Sequence, residues 1–147
     1  MQPYVLLIED DAQAIELGRR AFAGHGRFDV TAVQTGQAGL DFLRRAGAFQ
    51  GREDTLPALV ILDLGLPDMP GLDVLDEIKR DERLSFLPVV ILTVSEEAND
   101  ARAARDLGAA FFISKPVGPE EFEATVNAVG HFWSNLSRTP SAPRPRW

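Results

Sequence analysis

The sequence predicts an α/β fold in which a doubly wound parallel sheet carries helices on both faces. Four short apolar runs without polar alternation predict strands buried on both faces: Val5–Ile8, Leu59–Leu62, Val89–Leu92 and Phe111–Ile113. A weaker run, Phe28–Val33, predicts a strand at the sheet edge. The stretches between these runs have helical periodicity, so five βα units result.

Each segment between the strands is expected to form a helix with one apolar stripe. The stripes run over residues 14–22, over 40–46 within a helix from Gln37 to about Ala48, over 72–78, and over 122–136. The fourth helix is predicted from its ends, because Ser95 is a suitable N-cap and Gly108 lies just past the last turn. Pro119 is expected to open the fifth helix.

The chain is long enough for one domain, which we expect over residues 1–137. Residues 138–147 are rich in Pro, Arg and Ser and have no apolar periodicity, so they predict a disordered tail. The connection from Gly47 to Pro57 is long for an α/β unit and predicts a surface excursion.

Composition excludes several classes of function. The net charge of −7 argues against sequence-independent binding of nucleic acid, because such binding depends on Lys and Arg side chains that neutralise phosphates. The chain has no cysteine, so disulfides, thiolate metal sites and cysteine nucleophiles are excluded. The first apolar run is too short for a signal peptide or a membrane span and is followed by acidic residues, so a cytoplasmic location without membrane contact is expected.

Polar residues follow the predicted strands at the edge where an open parallel sheet binds its ligands. Glu9 and Asp10 follow the first strand, Asp63 the third, Thr93 ends the fourth and Lys115 follows the fifth. Each has an ordinary structural alternative, such as a helix cap, an Asx-turn or a solvated strand end. Those alternatives leave unexplained why several carboxylates gather at one edge.

Carboxylates at one edge imply a compensating cation, because two unit charges about 4 Å apart repel by roughly 4 kcal/mol at an effective dielectric near 20. Mg²⁺ takes oxygen ligands and fits such a site. Asp63 could then attack a phosphoryl group as a carboxylate nucleophile. The Lys115 ammonium and the Thr93 hydroxyl would help to neutralise the phosphoryl oxygens.

Four segments have the order and spacing of one known family: residues 6–11 (LLIEDD), 61–67 (ILDLGLP), 92–93 (LT) and 114–116 (SKP). They resemble the CheY-like receiver domain of bacterial two-component response regulators over about residues 4 to 130. The resemblance implies a flavodoxin-like (βα)5 three-layer sandwich with strand order 2-1-3-4-5. It also implies that Asp63 is the phosphoacceptor and shares Mg²⁺ with Asp10 and the Gly65 carbonyl. Glu9 is expected to reach the metal through water.

The resemblance assigns further positions. Asp11 is expected to belong to the start of the first helix, and Lys115 to precede a cis peptide bond. Thr93 and the strand-five aromatic Phe112 are expected to respond to phosphorylation. Phe112 lacks the tyrosine hydroxyl often found there, and Val94 is bulkier than the small residue usual in the family, so it is expected to restrict access to Asp63.

The long connection and the pair Phe132-Trp133 resemble single-domain regulators associated with bacterial phytochrome kinases. The expected partners are a sensor histidine kinase of that type and an unknown downstream protein. The regulator is expected to signal by protein contact, without an output domain or direct nucleic-acid binding. A homodimer through helix four, strand five and helix five is also expected.

Two other functions are compatible with some of these residues. A Mg²⁺-dependent phosphatase of the haloacid dehalogenase kind also uses an Asp nucleophile, a Thr and a Lys, but normally on the first strand in an Asp-x-Asp motif. A non-phosphorylated interaction module would not need all the polar residues at the strand ends. The regulator is therefore expected to be a phosphoacceptor and not an enzyme that turns over an external substrate.

Overall fold

A computed structural model of the protein describes residues 4–25, 29–52, 55–94 and 98–114. It contains one sheet of five parallel strands: β1 Tyr4–Ile8, β2 Asp29–Val33, β3 Leu59–Leu62, β4 Val89–Thr93 and β5 Phe111–Ser114. The strand order is β2-β1-β3-β4-β5, so the predicted flavodoxin-like topology is confirmed.

The helices within the described ranges are α1 Ala12–His25, α2 Gly36–Arg44, α3 Gly71–Arg80 and α4 Ala98–Asp106, with a short 3-10 helix at Gly47–Phe49. In this part of the chain no helix combines the length and the apolar character that a membrane span requires. The predicted fifth helix, the predicted N-cap Ser95 and the tail over 138–147 lie outside the described residues.

Two apolar clusters lie on opposite faces of the sheet. Leu6 and Ile8 of β1 point into the cluster that packs on α2, α3 and α4, while Val5 and Leu7 point into the cluster that contains Phe22 of α1. Every residue of β1 and β3 is buried. A strand covered on both faces has no solvent side, which explains why these runs lack polar alternation.

The second helix ends earlier than its apolar pattern predicts. The predicted end near Ala48 was wrong, because Arg45 adopts a left-handed conformation (φ 55°, ψ 47°) and terminates α2 at Arg44. The Arg45 N–H bonds back to the carbonyls of Asp41 and Phe42, as is common at helix C-termini. The chain then enters the excursion through the 3-10 helix.

Candidate functional site

The carboxyl ends of β1 and β3 meet at one edge of the sheet, next to the point where the strand order reverses. Ile8 pairs with Leu62 at the end of the two strands, and the Asp63 N–H donates to the Ile8 carbonyl at 3.1 Å. The residues that follow these strands therefore emerge side by side. In a doubly wound sheet this is the crevice in which ligands bind.

The structure brings Glu9, Asp10 and Asp63 into one acidic cluster. One carboxylate oxygen from each residue lies within 4.8 Å of the other two. Glu9 and Asp63 are buried, at 1% and 9% exposure, whereas Asp10 is exposed. Carboxylates this close repel unless a cation lies between them, and an oxygen-only donor set is the kind that Mg²⁺ prefers. The residues present therefore fit a hard divalent cation.

Backbone N–H groups orient two of these carboxylates. Glu9 Oε2 accepts hydrogen bonds from the N–H groups of Asp10 and Asp11, at 3.0 and 3.4 Å. Asp63 Oδ1 accepts one from the Gly65 N–H at 3.3 Å, which brings Gly65 beside the acidic cluster. Each of these bonds joins residues only one or two positions apart. The turns after the strands thus place the side chains of the site.

Asp11 lies outside the acidic cluster. Its Oδ1 accepts the N–H of Gln13 at 3.0 Å, and its carbonyl accepts the N–H of Ile15. These are the bonds of a residue that caps the N-terminus of a helix. The prediction that Asp11 belongs to the start of α1 is confirmed.

Thr93 is buried at the end of β4, at 1% exposure, and pairs in register with Ser114 of β5. The next residue, Val94, is 70% exposed. Phe112, on β5, is partly buried against the cluster on the α3 face. Lys115 lies outside the described residues, as does its bond to Pro116.

Gly71, the first residue of α3, has a role at the site that sequence analysis did not identify. A Cβ atom there would lie 2.4 Å from the Asp63 carbonyl oxygen and 2.6 Å from Leu64 Cα, which no side chain can tolerate. The Gly71 N–H also donates to the Leu64 carbonyl at 2.9 Å. The helix therefore begins directly against the backbone of Asp63. The only indication of this role in the sequence was the glycine that follows Pro70 at the start of a predicted helix.

Comparison with known proteins gives relatives for this arrangement. The family model described as the response regulator receiver domain matches residues 5–127. The probable methanogenesis regulatory protein FilR2 of Methanothrix harundinacea is 36% identical over 137 residues, covering 92% of this chain and 86% of FilR2. The chain also matches longer transcriptional regulators, of whose length it spans 50%.

Solved structures of response regulators resemble this chain over nearly its whole length. The phosphorylated cyanobacterial phytochrome response regulator RcpA has a TM-score of 0.84 and 30% identity, covering 96% of this chain and 100% of RcpA. The Mn²⁺-bound response regulator Rcp1, whose sequence is known from Synechocystis, has a TM-score of 0.80 and 27% identity, with 96% and 99% coverage. With its family match, its strand order and its acidic cluster, the chain belongs to the response regulator receiver family and is related to the phytochrome response regulators.

Proposed function

We propose that Asp63 accepts a phosphoryl group from a sensor histidine kinase. The observation that carries the proposal is the buried Asp63 carboxylate beside Glu9 and Asp10 at the β1/β3 edge. In this proposal Asp10, Asp63 and the Gly65 carbonyl hold Mg²⁺, and Glu9 acts through water. When bound, the ion neutralises negative charge on the phosphoryl oxygens.

The proposed reaction is an in-line displacement. An oxygen of the Asp63 carboxylate forms a bond to phosphorus as the bond from phosphorus to the kinase histidine nitrogen breaks, and the electron pair stays on that nitrogen. The product on this chain is an acyl phosphate. The Thr93 hydroxyl and the Lys115 ammonium are proposed to bind the phosphoryl oxygens, because positioning and charge neutralisation are what phosphoryl transfer needs.

The likeness to the phytochrome response regulator RcpA supports a kinase of the phytochrome type as the donor. We propose that the receiver domain spans residues 1–137. We also propose that phosphoryl transfer to it takes place in the cytoplasm. The output is proposed to be contact with a downstream protein, with no turnover of an external substrate.

The test is labelling of purified protein by acetyl phosphate and Mg²⁺, followed by intact mass. We expect wild type to gain one phosphoryl group and Asp63→Asn to gain none, because the amide is not a nucleophile. Asp11→Asn is the matched control, since its carboxylate caps α1 outside the acidic cluster, and it should label like wild type. Equal labelling of Asp63→Asn would contradict the proposal. Steady hydrolysis of a generic phosphomonoester would favour the phosphatase alternative.

A further inference from the structure

The loop over residues 64–70, between β3 and α3, carries Gly65 and is bound to a second helix through one side chain. The Asp68 carboxylate accepts the Gly36 N–H on Oδ1 at 2.8 Å and the Gln37 N–H on Oδ2 at 2.9 Å. These donors are the first two residues of α2. Each carboxylate oxygen therefore bonds to a different N–H, so Asp68 joins the loop to the helix in a defined orientation.

The same helix end has its own local cap. Thr35 has the extended backbone of an N-cap residue, and its Oγ1 accepts the Ala38 N–H at 3.0 Å. Two of the N–H groups that a helix leaves without intrahelical partners are thus bonded to a residue 31 or 32 positions away. A carboxylate is favoured there because a helix N-terminus carries partial positive charge.

Packing holds the same two segments at close range. A Cβ atom on Gly36 would lie 2.6 Å from Met69 Cγ and 2.8 Å from Val74 Cγ2, so only glycine allows the approach. At its other end the loop is fixed to the site, where the Gly65 N–H bonds to Asp63 Oδ1 and the Gly71 N–H to the Leu64 carbonyl. The loop is therefore held at the acidic cluster and at α2.

We propose that Asp68 is a positioning residue for the metal and phosphorylation site, holding the loop against α2 so that the Gly65 carbonyl stays beside Asp63. The inference rests on the proposed function, because it assumes that this carbonyl binds the metal. In this proposal Asp68 does not bind the metal or the phosphoryl group itself. It acts through the loop backbone, which it ties to a helix packed on the sheet.

The charge state of Asp68 agrees with this role. Desolvation acts to raise the pKa of its carboxyl, but hydrogen bonds from backbone N–H groups, those of Gln37 and Gly36 foremost, together outweigh it and lower the pKa below the ordinary value. The Asp68 carboxylate is therefore ionised throughout the neutral pH range. Charge-assisted bonds of this kind are the stronger class of hydrogen bond.

The experiment compares Asp68→Ala with Thr35→Ala by calorimetric titration of the intact chain with Mg²⁺. Both variants remove a cap from the N-terminus of α2, but only Asp68→Ala releases the loop. We expect Asp68→Ala to weaken Mg²⁺ binding by roughly tenfold, in the range seen for groups that orient metal ligands. Asp68→Asn keeps one acceptor and should fall between Asp68→Ala and wild type, while Thr35→Ala should bind like wild type.

A second readout does not depend on metal. Amide hydrogen exchange of residues 65–69 in metal-free protein should be faster in Asp68→Ala than in Thr35→Ala when both are compared at equal stability. Equal Mg²⁺ affinity and equal exchange in the two variants would overturn the inference and leave the proposed function intact. If wild type itself binds no Mg²⁺, the proposed metal site fails, and the exchange comparison alone decides whether Asp68 holds the loop.

Discussion

Glu9, Asp10 and Asp63 place negative charge in a small and partly buried volume. In metal-free protein the repulsion between these carboxylates opposes folding. Two unit charges 4 Å apart repel by roughly 4 kcal/mol at an effective dielectric near 20. We expect Asp63→Asn and Asp10→Asn to melt at or above the wild-type temperature without metal, because one charge is removed. Thermal melts in chelator check this, and a clear loss of stability in both variants would contradict it.

The same melts with Mg²⁺ provide the complementary comparison. A ligand that binds only the folded state raises its stability with ligand concentration. Mg²⁺ should therefore raise the melting temperature of wild type more than that of Asp63→Asn or Asp10→Asn. Asp11→Asn, whose carboxylate caps α1, should respond to Mg²⁺ as wild type does.

Val94 is the exposed side chain that directly follows Thr93 at the end of β4. Its branched side chain is expected to crowd the approach of small donors and of water to Asp63. We predict that Val94→Ala is labelled severalfold faster by acetyl phosphate and also loses the acyl phosphate faster. Each change corresponds to a decrease of about 1 kcal/mol or less in the activation free energy of that step. Stopped labelling reactions read by intact mass measure both steps. Unchanged rates would show that the side chain does not limit access.

The excursion after α2 is held by Arg52. Its guanidinium donates to the Phe42 carbonyl at 2.9 and 3.2 Å, and to the Tyr4 hydroxyl and the Thr55 carbonyl at 3.2 and 3.3 Å. It also lies 4.0 Å from the centroid of the Phe42 ring, on which Phe49 packs edge-on. This cluster lies where β1 begins, at the opposite end of the strand from Glu9 and Asp10.

We expect Arg52→Ala to lower the free energy of unfolding by about 1–3 kcal/mol, since it removes charge-assisted hydrogen bonds and a cation–π contact. Arg52→Lys should recover only part of this, because an ammonium cannot reproduce the planar fork. Arg83→Ala is the control, because the Arg83 side chain in its ion pair with Asp81 is solvent-exposed and such pairs contribute little to stability. Urea denaturation measures all three. Asp63 labelling should stay unchanged, and a large loss of labelling in Arg52→Ala would contradict the separation of the two ends.

Self-association is predicted for the whole chain. Phe132 and Trp133, which lie outside the described residues, are adjacent in the predicted fifth helix, and adjacent helical residues lie about 100° apart, so they cannot both enter one core. We predict a two-fold homodimer through α4, β5 and the fifth helix, anchored by one of these aromatics.

Light scattering after size exclusion tests the dimer. Wild type should elute as a dimer at high micromolar concentration, and Phe132→Ala combined with Trp133→Ala should shift it toward monomer. The measurement is repeated with a phosphoryl mimic. Wild type that remains monomeric under both conditions would remove the dimer.

Strand positions could be predicted from sequence, because a strand buried on both faces must be continuously apolar. The acidic residues of the site could be identified because they directly follow such apolar runs. The runs predicted for β1, β3, β4 and β5 agree with the observed strands to within one residue. Glu9, Asp10 and Asp63 could be assigned to one sheet edge because the carboxyl ends of parallel strands lie at the same edge. Their approach to within 4.8 Å depended on how the strands pair.

Other features required the tertiary structure, because they depend on contacts between segments distant in sequence. Apolar periodicity continues past Arg44, and only the left-handed backbone of Arg45 and the packing of the excursion terminate α2 there. Asp68 looks like an ordinary loop acid until the fold brings it to the N-terminus of a helix more than thirty positions earlier. Local sequence determines which segments are buried and supplies the short-range bonds of Glu9 and Asp63, whereas the bonds from α2 to Asp68 require two segments distant in sequence to pack together.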